Sequence, residues 1–138
     1  MKMIKITTNN QISVHDFPEG SFGEQNQVLR DHIGPKCELY EHVMPKRLYN
    51  ELHGSRQRGN CVSMLVDEDG HYHELPENIV ASWLYESDKH GYPILGDVLI
   101  VGEKWEGSGI SFCGIPKDQF DLLFPQLREL TEKARKME

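Results

Sequence analysis

His71 and His73 stand two residues apart, so on a strand both imidazoles would point to one face, where Asp67, Asp69 or Glu74 could complete a metal site. No third ligand has recognisable spacing, and Asp67-Glu68-Asp69-Gly70 is equally what a tight turn selects for backbone reasons. The favoured reading is therefore an exposed polar strand face, with no metal. The same tetrapeptide begins like a calcium loop but lacks the further ligand before its glycine and the glutamate at the twelfth position. Gly102, Gly107 and Gly109 resemble a phosphate loop only in glycine content: no Gly-Lys-Ser/Thr ending follows, and the next element reads as a strand. No Gly-x-Ser-x-Gly elbow is present. Cys61 and Cys113 lie in apolar strands as small core residues, and the seven histidines are dispersed. No catalytic residue is assigned.

Two polar residues stand out by context. Asn78 follows Leu75-Pro76-Glu77 and precedes an apolar helical stripe, the position of a helix cap. Asp97 is the one charge in the apolar run from Leu95 to Val101, where burial without a partner would cost several kcal/mol. A binding pocket built from Asn78, Trp83, Tyr92 and Asp97, with Tyr85 as a further wall, is the candidate site that these residues define, since aromatic walls with few polar groups suit ligands. Ordinary core packing of the same rings is the competing reading.

The elements that would position these residues read as an α+β domain, mainly an antiparallel sheet built from hairpins and covered by short helices and a kinked C-terminal helix. Met3 to Thr8 and Ile12 to Phe17 flank Asn9-Asn10, which tolerate the positive φ of a tight turn, and form an opening hairpin. Phe22, Gln25, Val28, Leu29, His32 and Ile33 fall at helical spacing before Gly34-Pro35. Alternation from Cys37 to Val43 predicts a third strand, stopped by Pro45. Residues 46–60 read as a flexible insert, with a helical turn or two around Leu48, Tyr49 and Leu52 and an exposed loop from Gly54 to Gly59. Val62, Met64 and Val66 mark the next strand, and Asp69-Gly70 is expected to turn it back into a strand from His71 to Leu75. Ile79, Val80, Trp83 and Leu84 give a short helix. Leu95 to Val101 forms a central strand, answered by Ile110 to Ile115 across a glycine-rich loop holding Trp105. Pro116 opens the last helix, whose stripe is Phe120, Leu123, Phe124, Leu127 and Leu130 and which Pro125 must kink or divide.

Composition limits the alternatives. At 138 residues, one domain with one core is expected. The formal charge of -7 argues against direct binding to nucleic acid or an anionic membrane, and the basic groups at Lys46, Arg47, Arg56 and Arg58 and at Lys133, Arg135 and Lys136 read as a solvated loop and a helix C-terminus. Three distant cysteines suggest neither a disulfide framework nor a zinc site and suit a reducing cytoplasm. Neither a signal-peptide pattern nor 18 consecutive apolar residues is found, so export and membrane insertion are not expected.

The opening hairpin, Val66-Asp67-Glu68-Asp69-Gly70, Leu75-Pro76-Glu77-Asn78, Gly96-Asp97-Val98-Leu99-Ile100-Val101-Gly102 and Ile115-Pro116-Lys117-Asp118-Gln119-Phe120 together resemble a family of small proteins from phages, plasmids and integrated mobile elements, known as a domain of unknown function. The resemblance spans nearly the whole chain. It departs in the longer segment from Lys46 to Gly59 and in Pro116, where a capping hydroxyl is common. It implies an accessory protein of a mobile element in the bacterial cytoplasm and brings no catalytic residues with it. The leading expectation is a non-catalytic binding module for a host- or element-encoded protein, with no cofactor. The alternatives are a small-molecule-binding protein or small enzyme using the Asn78, Trp83, Tyr92 and Asp97 pocket, and a homodimeric structural protein.

Overall fold

A computed structural model describes residues 1–57, 60–107 and 109–138. The part of the loop expectation that falls on Arg58 and Gly59 lies outside the described residues, as does Ser108 between the last two strands. The framework is an antiparallel sheet in the order β2-β1-β5-β4-β3, with β6 pairing β5 off this path. Its strands are β1 (Lys2–Ile6), β2 (Ile12–Asp16), β3 (Tyr40–Val43), β4 (Val62–Asp67), β5 (Val98–Glu106) and β6 (Gly109–Cys113). Among the described residues, five helices accompany it: α1 (Phe22–Ile33), α2 (Lys46–Asn50), α3 (Ile79–Leu84), α4 (Ser87–His90) and α5 (Lys117–Lys136).

Strand alternation sends the apolar residues to two cores. Ile4, Ile6, Val62, Met64, Val66, Val98 and Ile100 meet α2, α3 and α5 on one face, with Leu48, Leu84, Leu123 and Leu127 filling the space between. Met3, Leu65, Leu99 and Val101 face the other way, against Leu29 and Ile33 of α1 and against Cys37. With both faces covered, β4 and the first half of β5 are buried at every position. The α+β architecture expected from the pattern is the one observed.

Several elements differ from expectation for identifiable reasons. The strand predicted from His71 to Leu75 is a run of turns. Both edges of β4 are already occupied, by β3 and β5, and the Asp67 carboxylate bonds the Asp69 N–H at 2.8 Å, winding the chain locally. In β5, Gly96 at φ 88° breaks the run after Leu95, which keeps only a bridge to Glu77, and the strand continues instead through Gly102 and Trp105 to Glu106. The helical turn foreseen around Leu48 is α2, and its Leu48 and Tyr49, together with Leu52, are core residues, so residues 46–52 belong to the packed body of the domain. Pro125 neither ends nor divides α5. The adjoining Gln126 amide donates to the Leu122 carbonyl at 3.0 Å and to Leu52 at 2.9 Å, supplying hydrogen bonds beside the missing proline donor.

Polar contacts fix the ends of the elements. Ser21 and Glu24 form a reciprocal capping box that starts α1. Asn10, at φ 59° in the β1–β2 turn, is buried beneath the end of α5: its amide donates to Glu138 at 2.7 Å, and its carbonyl accepts from Arg135 at 2.6 Å. On the opposite face, the rings of His15 and His32 approach to 4.6 Å. Desolvation, followed by the charges of His15 and Lys5, holds the His32 pKa below its ordinary value of 6.5. The unfolded chain therefore takes up this proton at higher pH than the folded one, so stability falls as pH drops below about 6.5, until folded His32 itself protonates. His32→Gln is expected to make the fall in urea midpoint between about pH 7.5 and about pH 5 shallower. An unchanged slope would remove His32 as its source.

Candidate functional site

Asn78, Trp83, Tyr92 and Asp97 do not line one pocket. Asn78 is fully buried and spends its amide on the fold: Oδ1 accepts from the Ala81 N–H at 3.0 Å, and Nδ2 donates to the carbonyls of Ile6 and Gly96, each at 3.0 Å. It caps α3 and ties that helix to β1 and to the chain entering β5, leaving no polar atom for a ligand. Tyr92 projects into solvent beside His90, and Tyr85 packs against the same imidazole, with ring centroids 4.9 Å apart. Neither ring lines a cavity with Trp83.

Asp97 belongs to a different place. Its carboxylate accepts the Thr8 N–H at 3.0 Å and lies 3.7 Å from the Lys5 ammonium, on the rim of a cleft of about 250 Å3 that also touches Cys37, Asp67 and Pro76. Asp67 is buried and committed to His73 Nδ1 at 2.9 Å and to the backbone of Asp69. His71 is exposed, and among the described residues no group of three His, Cys, Asp or Glu side chains is arranged to hold a metal ion. Burial pushes the Cys37 thiol up to about 11, and its S–H donates to the Leu39 carbonyl. Burial likewise raises Cys61 and Cys113. The three thiols stay protonated near neutral pH, so Cys37, the thiol on this cleft, is not an activated nucleophile.

Trp83 is the candidate that does border open space. Arg47 covers part of it, with its guanidinium 5.1 Å from the indole centroid, and donates to the Trp83 carbonyl at 3.1 Å. Two bonds from Arg47 to Asp88, at 2.6 and 2.9 Å, hold the cation in place and keep the Asp88 carboxyl below its usual range. Beyond Arg47, the indole and Ile79 border two hollows. One, of about 440 Å3, reaches Asp88 and Pro93. The other, of about 430 Å3, lies between α3 and the last turns of α5 and is walled by Val80, Leu130, Ala134 and Met137. Ile79 is 54% exposed and Met137 85% exposed. The result is an apolar groove with a tryptophan wall and flexible thioether and aliphatic rims.

Two signals for this groove are present in the chain. Ile79 and Trp83 are four residues apart on one helix, and the α5 stripe continues past Leu130 through Ala134 to Met137 at helical spacing. Arg47 was hidden by its place in the segment read as a loop. No family model, curated protein or solved structure matches this chain. Among the described residues, no helix is long and apolar enough to cross a membrane.

Proposed function

We propose that this chain is a non-catalytic binding protein that holds an amphipathic helix of a host- or element-encoded protein in the groove between α3 and the end of α5. The carrying observation is the exposure of Ile79 and Met137 on either side of half-buried Trp83, an apolar surface that the domain's own packing leaves open. Two helices form the walls, so a third helix is the element whose side-chain ridges fit between them. Lys133 and Glu138 both border this groove, so recognition rests on the partner's apolar face and not on the sign of its charge. Work in the bacterial cytoplasm as an accessory factor of a mobile element is the setting that the sequence motifs suggest.

The test uses a photo-crosslinking amino acid at Ile79, at Met137 and, as a control, at Glu19, in cells of a related bacterium. Positions 79 and 137 should capture the same protein, and position 19 should not. With that protein purified, Ile79→Asp should weaken binding at least about tenfold while leaving the thermal midpoint within a few degrees, because Ile79 is largely exposed. Equal affinity for the variant would refute the groove as the binding site. Capture of a second copy of this chain alone would replace the partner reading with a homodimer.

A further inference from the structure

Another cavity, on the face of the sheet opposite the α3–α5 groove, has a different character. It measures about 300 Å3 and lies between the first turns of α1 and the ribbon formed by β5 and β6. Phe17, Phe22, Tyr40 and Phe112 contribute its aromatic surface, with Tyr40 and Phe112 meeting edge to face at 6.3 Å. Phe22 is 71% exposed, although it opens a helix whose Leu29 and Ile33 are buried. Such walls accept a flat ring by stacking and edge contacts.

The polar groups on the wall are already oriented. The Tyr40 hydroxyl donates to Asn26 Oδ1, and burial raises the phenol pKa, so it remains a donor. This bond fixes the Asn26 amide and leaves Nδ2 as its unused donor. Gln25 is fixed in the opposite sense: its Nε2 donates to the Pro18 carbonyl at 3.1 Å, leaving Oε1 as an unused acceptor. Both residues are half-buried and line the same cavity. One wall therefore offers an amide donor and an amide acceptor from neighbouring residues, each held by a bond made elsewhere. Lys104 and Glu106 neutralise one another at 2.8 Å on the ribbon, so the rim does not demand a charged ligand.

We propose that this cavity binds a planar, uncharged nitrogen heterocycle whose edge carries a donor beside an acceptor, the chemistry of a purine base, with Gln25 and Asn26 reading the edge and Tyr40 and Phe112 bounding the ring. An amino group beside a ring nitrogen matches this pair: the amine donates to Gln25 Oε1, and the nitrogen accepts from Asn26 Nδ2. The site is separate from the α3–α5 groove and stands or falls independently of it.

Adenosine is the probe, and purine riboside, which lacks the exocyclic amine, is the control. Titration into isotope-labelled protein should shift the amide resonances of Gln25, Asn26, Tyr40 and Phe112, with adenosine binding about tenfold more tightly than purine riboside. Gln25→Met and Asn26→Leu, in folded protein with near-parental thermal midpoints, should each reduce adenosine affinity about tenfold and narrow the difference between the two nucleosides. Absence of shifts at these residues with millimolar adenosine would overturn the proposal. So would equal binding of both nucleosides, or binding that both variants leave unchanged.

Discussion

Asn78→Ala is expected to destabilise the domain by about 3 to 4 kcal/mol, among the largest effects of any polar substitution in the chain. Loss of the cap on Ala81 costs about 1 kcal/mol, and stripping the donors from the Ile6 and Gly96 carbonyls costs about 1 kcal/mol or more for each. The thermal midpoint should fall by about 10 °C, with a matching fall in urea midpoint. Asn78→Asp separates the contributions. It retains the capping oxygen but turns a carboxylate toward two carbonyls in a buried setting, so it should be at least as damaging as alanine. A loss below about 1 kcal/mol for both variants would show that the three bonds contribute little. Because Trp83 and Ile79 ride on the helix that Asn78 anchors, the alanine variant should also bind any groove partner less well once part of the protein is unfolded.

Gly102→Ala is expected to cost about 3 kcal/mol for a purely steric reason. A Cβ at this position would lie 2.4 Å from the Gly114 carbonyl oxygen and 3.1 Å from the Cys113 sulfur, where β6 and the chain after it cross β5. Backbone atoms on neighbouring strands cannot yield as a flexible side-chain end can. Gly109→Ala is the matched control, because nothing lies within 4 Å of its added methyl, and its effect should stay within about 0.5 kcal/mol. Equal urea midpoints for the two variants would contradict the crowding at Gly102.

The contrast between these glycines marks what the sequence alone could convey. Periodicity placed α1 from Phe22 to Ile33 and α3 from Ile79 to Leu84, because each helix has one apolar stripe facing a sheet. It also placed β1, β2 and β4 and foresaw the cap at Asn78. The pairings between strands adjacent in sequence, β1 with β2 and β5 with β6, were also legible; pairing over longer separations was not. Asp69-Gly70 has the local chemistry of a hairpin, yet the partner for β4 comes from Tyr40–Val43, on the other side of α2, and nothing local encodes that choice. The site suffered from the same limit. Asn78 and Asp97 were noticed because polar residues are conspicuous in apolar runs, and both are explained by bonds to distant backbone: Ile6 and Gly96 for one, Thr8 for the other. The groove depends on Leu130, Ala134 and Met137 lying across from Ile79, a proximity that appears only once α5 packs on α3.

The contact between Asn10 and the end of α5 bears on how the chain acquires its shape during synthesis. Asn10 bonds Glu138 across 128 residues, and β1 is enclosed only when β5 arrives to pair along its second edge. A ribosome that has released only the first hairpin and α1 has produced segments whose buried polar and apolar groups still lack their partners. Contacts of such long sequence separation slow folding, since much of the chain's freedom must be lost before they form. The domain should therefore remain protease-sensitive on stalled ribosomes until the residues through α5 have emerged, and then close in a single late step.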